Sequence, residues 1–591
     1  MSYATKKAEE FLNRERAFRL GELVTEAVHP KTRTLSLTAA TDLAAAIRLL
    51  QSVDDDIPPA MAKVLRQDSF RQLVEAFSQA ISTGKRIFFT GCGSTGRLSI
   101  LLEAAWRRFW RELKLMHPDI AAKLTDMEDR VFSVMAGGDF ALIKAVEGYE
   151  DFPDFGRYQL REMGVQAGDV VVAITEGGET PFVIGTAWEG LDAGAKVFFV
   201  YNNPTELLCR HVKRSREVIE EPRITKLDLT TGPMAITGST RMQATTAELF
   251  VVGSALEIAL MRVSRASHPR SRARYPRHLT QREPHDYLGL LFELIEQLSS
   301  AEAVDALARA TEFEEIIYRR QGLVTYVADS FLLDVLTDTT ERSPTFMLPP
   351  FRKCGDDRSP SSWTFVKDPF HATEQAWHEL LQREPRGLNW QCEVYEELKA
   401  PANLQDRPPK LDNSEIYKFM VGNELDSSRT DAPDSALVTV AVGDEMDRLI
   451  DVALQEFGAP YNQRAALIIG SEDAVAGIDE TFRFAYRPPE SPLQLWHHLT
   501  IKLILNTLST ATMVRMGRVI GNAMVWLSPS NKKLIDRGSR LIAEQTGCTY
   551  ERACISLHEA MEEVEDGQKR GREVPSPVAL AIERLGGRQS R

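Results

Sequence analysis

The stretch Arg86-Ile-Phe-Phe-Thr-Gly-Cys-Gly-Ser-Thr-Gly-Arg97 decides the fold. Its first half, Arg86 to Thr90, reads as a short buried strand. Glycines then turn the chain tightly, and Ser94, Thr95 and Gly96 open a helix. A helix start of this kind is a cradle for an anion. Unsatisfied backbone N–H groups point outward, the helix dipole puts partial positive charge there, and two hydroxyls add donors without bulk. The glycine spacing is not G-x-G-x-x-G and no Gly-Lys-Ser/Thr follows, so neither a dinucleotide nor a nucleoside triphosphate is expected. A phosphate fits, as does a purely structural turn.

Working outward, three more strand-like runs follow Arg86 to Thr90: Val131 to Ala136, Asp169 to Thr175 and Lys196 to Tyr201. Each is succeeded by a helical or turn-rich stretch. Strands alternating with helices predict a parallel sheet covered on both faces, with ligands at the carboxyl ends of the strands. Before this unit, residues 35–82 carry apolar side chains at helical spacing, as at Leu73, Phe77 and Ile81. After it, Arg265, Arg270, Arg272, Arg274, Arg277 and Arg282 stand among Ser, Pro and His and read as a solvated basic linker. The alternation then resumes with Gly322 to Ala328, Ala436 to Val442 and Ala465 to Ile469, and Glu445 to Phe457 is helical. Residues 349–409, rich in proline and polar side chains, read as long loops. The fold class is therefore α/β, with two tandem units of similar size. The expected division is an amino-terminal helical segment at 1–60, a first unit at 61–263, a basic linker at 264–286, a second unit at 287–527 and a carboxyl-terminal helical region at 528–591. Within the last of these, residues 531–565 read as a hairpin turning at Thr546-Gly547, and residues 566–591 as a frayed tail.

Composition narrows the function. The net charge of −13 over 591 residues argues against a nucleic-acid or membrane-surface binder, which depends on clustered positive charge. Six cysteines, with no C-x-x-C pair and no histidine at ligand spacing, predict free thiols and a cytoplasmic setting. No metal and no cofactor is expected. No run of about 18 uncharged apolar residues occurs.

The third strand ends in Thr175-Glu-Gly-Gly-Glu-Thr180, followed by Pro181, a second hydroxyl- and glycine-rich turn opening a helix. GCGSTGR together with TEGGET resembles the sugar isomerase (SIS) fold, whose phosphosugar-binding loops are rich in Ser, Thr and Gly; Thr175 and Gly177 stand where that family often has serines. Three further segments, AGGDFALIKAVEGYED (136–151), ITGSTRM (236–242) and the run from Leu503 to Arg537, resemble the N-acetylmuramic acid 6-phosphate etherases and the two-domain glucokinase regulatory proteins. The resemblance fades between 342 and 492. Its motifs are divided between the units. The first keeps the phosphate loop, the TEGGET turn, Glu147, Glu150, Asp151 and TGSTRM; the second keeps DTTERSPTF (338–346) and KLILNTLST (502–510). Where the second unit needs its own Gly-rich loop it reads TYVADSFLLD, and Ala105 occupies the etherases' acidic position in the first. The pattern implies a pseudo-dimer with one composite site and a decayed mirror site.

The chemistry implied is removal of the C2 proton of an open-chain 6-phosphosugar, expulsion of D-lactate from C3 and addition of water, which needs an acid and a base. The resemblance places Glu150 and Glu341 in those roles. It assigns substrate contacts to Gly93, Ser94, Thr95, Glu147, Thr175, Gly177, Glu179, Thr180, Ser239, Thr240, Arg241 and Lys502. Glu103 is an alternative to Glu341, although a shift of two residues on a helix turns it about 200° away. His497 and His498 read as core or interface residues. Gln243 replaces a lysine usual after TGS[ST]RM, and Pro344 stands where the regulatory proteins carry a histidine. Two other functions use the same loops: a non-catalytic sugar-phosphate sensor controlling a partner such as a sugar kinase, and a phosphosugar isomerase. Either a monomer with pseudo-dimeric units or a homodimer accommodates the site.

Overall fold

The computed structural model describes residues 2–118, 126–146, 148–266, 282–455, 457–470, 477–569 and 575–586. Two five-stranded sheets, each parallel throughout, organise it. The first contains β1 (Ile87–Gly91), β2 (Val131–Met135), β3 (Val170–Thr175), β4 (Lys196–Tyr201) and β5 (Ile224–Asp228), in the order β2-β1-β3-β4-β5. The second contains β6 (Val324–Val327), β7 (Thr364–Lys367), β8 (Ala436–Val442), β9 (Gln463–Ile469) and β10 (Glu480–Phe484), in the order β7-β6-β8-β9-β10. The two orders are the same, with the first strand of each unit second from the edge. This is the internal duplication that the sequence predicts.

The helices that matter for the site are α1 (Leu43–Asp54), α2 (Asp68–Ser82), α3 (Gly93–Met116), α4 (Pro181–Asp192), α5 (Gln243–Ala266), α6 (Leu332–Phe346), α7 (Leu495–Arg515), α8 (Lys532–Thr546) and α9 (Tyr550–Lys569). The central strands are buried on both faces, which is why they read as continuous apolar runs. On one side α2 sets Phe77 edge-on to Phe89 of β1, with ring centroids 5.8 Å apart. Equivalent helices of the two units meet in pairs: α3, which follows β1, packs against α6, which follows β6, and α5 packs against α7. A twofold dimer interface pairs like with like in this way. Helix α5 is long and apolar enough over 243–264 to cross a membrane, yet it is buried within the protein from 243 to 261, with Glu248 and Glu257 inside it.

Some expectations need correction. Residues 349–409 are not long loops alone: they contain β7 and the helices Thr373–Leu381, Cys392–Glu397 and Ala402–Asp406. The tail holds a helix, Pro577–Arg584, which buries Val578, Ala581 and Ile582. Edge strands β5 and β10 were missed because each leaves polar side chains such as Lys226 and Arg483 partly or fully exposed, which breaks the apolar run. Most of the basic stretch, including Arg270, Arg272, Arg274 and Arg277, lies outside the described residues. Arg282 donates to the Glu490 carbonyl at 2.9 Å.

Candidate functional site

Strand β1 delivers the chain to the site through a turn that only glycine can make. A Cβ on Gly91 would lie 2.5 Å from the Thr95 backbone, and Gly93 has φ +52°. The turn is locked by Thr95, whose hydroxyl accepts from the Cys92 N–H at 3.0 Å and donates to the Cys92 carbonyl at 2.8 Å. Thr95 is thus buried and caps α3 instead of facing a ligand. Gly93 and half-buried Ser94 line a cavity of about 230 Å³.

The TEGGET turn divides similarly. Thr180 and Glu176 face the cavity. Thr175 is fully buried and bonds the Thr180 hydroxyl at 3.0 Å, and the Gly177 carbonyl accepts from Asn203 at 3.0 Å. Glu179, expected as a substrate contact, is buried in ion pairs with Arg214 at 2.5 Å and Lys533 at 3.0 Å. It supports the wall without lining it. The third side comes from the far end of the chain: Asn531 caps α8 by accepting from the Leu534 N–H at 2.8 Å, and Lys533 and Arg537 follow on the cavity wall. Three helix amino termini, those of α3, α4 and α8, therefore point at one space, each adding partial positive charge.

The segment Gly238 to Arg241 closes the space on the side of the second unit. Gly238, at φ +75°, leaves room for Arg537, whose Nε lies 2.5 Å from where a Cβ would be. Ser239 and Thr240 line the cavity, and Arg241 reaches across to Asp338 of α6 at 3.1 Å and to Ser509 and Thr510 of α7, both at 3.0 Å. A small annex of about 30 Å³ adjoins the main cavity, sharing Ser94 and Arg97 as wall. Glu341 and Lys502 line this annex. The Glu341 carboxylate lies 3.9 Å from Arg241, and Arg97 bonds Thr340 at 3.2 Å. Lys502 donates to the Arg241 carbonyl and to Asn506, both at 2.7 Å, so its ammonium anchors the loop it was expected to share with a ligand. Burial lowers the Lys502 ammonium to about 8 against the opposing pull of Glu341.

Two carboxyls on the main cavity depart from ordinary glutamates. Burial pushes Glu150 up to about 7, Lys533 opposing and Asp151 adding to the rise. Burial also pushes Glu176 up to about 7, again against Lys533 and with Glu341 adding. Glu150 receives a hydrogen bond from the Asn531 amide, and its carbonyl accepts from the Phe182 N–H at 3.0 Å, which fixes it beside α4. Glu147 lies outside the described residues. Glu103 faces away: it is fully buried and tied to Arg107, Arg383, Arg386 and Ser133. His498 bonds Asp334 at 2.9 Å and His497 stacks on Phe331, both interface roles. Gln243 bridges Asp54 of α1 and the Ala235 N–H, and Pro344 lines the cavity.

Sequence reasoning did not single out Arg97, Glu176, Asn531, Lys533 or Arg537. Arg97 and Glu176 sit inside the quoted loops. The Asn-Lys-Lys start of α8 carries a capping signal but nothing to say where that helix docks. At the matching end of the second sheet, a cleft of about 700 Å³ is lined by Asp329, Asp444, Glu445 and Asp447 together with Arg448 and Arg487.

Residues 69–189 match the family model of the glucokinase regulatory protein N-terminal SIS domain. The N-acetylmuramic acid 6-phosphate etherase of Clostridium acetobutylicum is 30% identical over 233 residues, 39% of this chain and 67% of the relative. The chain belongs to the N-acetylmuramic acid 6-phosphate etherase family. The family's enzyme in Pectobacterium atrosepticum is 29% identical over 39% of this chain and 67% of its own length. Among solved structures, the C-terminal domain of glucosamine-fructose-6-phosphate aminotransferase from Francisella tularensis aligns over 80% of this chain and 96% of its own. It does so at 10% identity and a TM-score of 0.43. The family's sequence matches span 38–42% of this chain.

Proposed function

We propose that this protein is a phosphosugar lyase of the etherase type, acting on a sugar 6-phosphate like N-acetylmuramic acid 6-phosphate through one composite site. The reading takes 61–263 and 287–527 as the two units. Its chief support is the convergence on one cavity of three helix amino termini, the hydroxyls of Ser94 and Thr180, and the carboxyl of Glu150. The helix starts, with Lys533, Arg97 and Arg537, suit a phosphate dianion. Glu150, held by the Asn531 amide and with Lys533 opposing the rise that burial causes, takes the C2 proton of the open-chain sugar in its carboxylate form. The electron pair left on C2 forms the C2–C3 double bond as the C3–oxygen bond breaks, lactate leaves, and water then adds at C3. Glu341, in the annex, balances the charge of Arg97, Arg241 and Lys502 behind the sugar site.

Incubation with N-acetylmuramic acid 6-phosphate should release D-lactate. No lactate, with tight sugar-phosphate binding, would leave the sensor reading and its kinase-type partner in place. Ser94→Ala should weaken binding of a hexose 6-phosphate by about tenfold or more, the loss of a hydrogen bond to a charged group. Unchanged affinity would remove Ser94 from the phosphate site.

A further inference from the structure

Elimination needs a second proton-transfer group, because lactate leaves poorly as an alkoxide. The carboxylates at the carboxyl end of the first sheet differ in how they are held. Glu179 is clamped by Arg214 and Lys533, Glu26 by Arg537 and Arg540, and Glu341 stands near Arg241 in the annex. Glu248 is sealed in α5 with no exposure. Glu176 is different. It lies one residue past β3, its backbone carbonyl fixed by the Asn202 N–H at 3.0 Å, and its side chain faces the same cavity as Glu150. Its own backbone N–H donates to its carboxyl, as does the Thr245 hydroxyl at a long 3.5 Å. Burial and the charge of Glu341 favour its protonated form with Lys533 opposing, and among the described residues no guanidinium pairs with it as Arg214 does with Glu179 and Arg537 with Glu26.

Resting on the lyase reading, we propose that Glu176 is the catalytic acid that protonates the departing lactyl oxygen. Glu150 accepts the C2 proton and becomes a carboxylic acid. As the C3–oxygen bond breaks, Glu176 gives its proton to that oxygen and becomes a carboxylate. When water adds at C3, Glu176 takes a proton from the water and Glu150 returns one to C2, so both end as they began. The two groups then enter the pH profile with opposite signs: one limb requires Glu150 ionised, the other requires Glu176 protonated.

The test compares wild type, Glu176→Gln, Glu176→Asp and Glu341→Gln with N-acetylmuramic acid 6-phosphate. It follows D-lactate release against pH, exchange of the C2 proton in deuterium oxide, and affinity for the sugar phosphate. Glu176→Gln should lose lactate release by about 10²–10⁴-fold while keeping C2 exchange and affinity, and should lose the alkaline limb of the profile. Glu176→Asp should restore part of the rate and that limb. Glu341→Gln should keep both limbs. A Glu176→Gln protein that releases lactate within about threefold of wild type with both limbs present, against the loss expected of an acid catalyst, overturns the assignment alone. So does loss of the alkaline limb in Glu341→Gln. Wild-type protein that releases no lactate overturns the lyase reading and this assignment with it.

Discussion

Glu248 shows what the cavity's surroundings cost. It is fully buried in α5, neither carboxyl oxygen has a hydrogen-bond partner among the described residues, and burial, with Glu176 adding, pushes its carboxyl well above the usual range. An unsatisfied buried polar group destabilises by about 1–3 kcal/mol, so Glu248→Met, which keeps the length and removes the polar atoms, should stabilise the protein by a similar amount in denaturant unfolding. A destabilised variant would mean that Glu248 holds an ordered partner. Glu150 makes a pH-dependent prediction. Its folded carboxyl titrates near 7 and its unfolded one near 4.5, so its contribution to stability is fully present below about pH 4.5 and is lost as pH rises through about 7. Glu150→Gln carries no such loss. The melting temperature of the variant relative to wild type should therefore be higher at about pH 8.5 than at about pH 5. A gap that does not change with pH would refute the raised carboxyl. At this scale Ser94 and Thr180 were legible because they sit in loops whose composition declares a helix start, whereas Glu150 was indicated only through the family resemblance. Thr95, Thr175 and Glu179 occupy the same loops yet face inward, because the hydroxyls and the carboxylate find backbone, hydroxyl and guanidinium partners there. Composition cannot separate the two groups.

The amino-terminal segment ties the site's elements together. The Thr25 N–H and hydroxyl bond Asn203 at 3.1 and 3.0 Å, and the Thr25 carbonyl accepts from Gly238 at 3.1 Å. Next to it, Glu26 grips Arg537 and Arg540 of α8 at 2.5 and 2.7 Å. Burial alone would raise the Glu26 carboxyl, but the two arginines outweigh it and hold it well below the usual range. Glu26→Ala should destabilise the protein by about 3–5 kcal/mol, because Arg537 is left buried without its counter-charge. It should also weaken hexose 6-phosphate binding, because α8 carries Lys533 and Arg537 on the cavity wall; calorimetric unfolding and titration check the two effects separately. Normal sugar binding in a destabilised variant would show that α8 keeps its place without this clamp. Helix α8 could be predicted as a helix from its periodicity and its Asn531 cap. Its docking could not, since the partner that fixes it lies 511 positions earlier.

Across the whole molecule, α3 with α6 and α5 with α7 build a dimer-like interface inside one chain. Arg241 crosses it to Asp338, Ser509 and Thr510, so both units contribute to a single site. The equivalent end of the second sheet lacks the Gly-rich loop and mixes carboxylates with Arg448 and Arg487. Specific lactate-releasing activity should therefore stay constant from about 10 nM to about 10 µM protein, where an enzyme completed by a second copy would lose activity on dilution. A fall on dilution would show that a partner subunit completes the site.

The sequence by itself determined the two α/β units, the central strands, the anion cradle after β1 and the turn after β3, because apolar runs and glycine-hydroxyl turns act over a few residues. Only the tertiary structure decided which side chains of those turns look into the cavity, that α8 supplies its third helix start, and that Lys502 is spent on the Arg241 loop. Those outcomes depend on partners hundreds of positions apart, and local pattern carries no record of which buried charge will meet which.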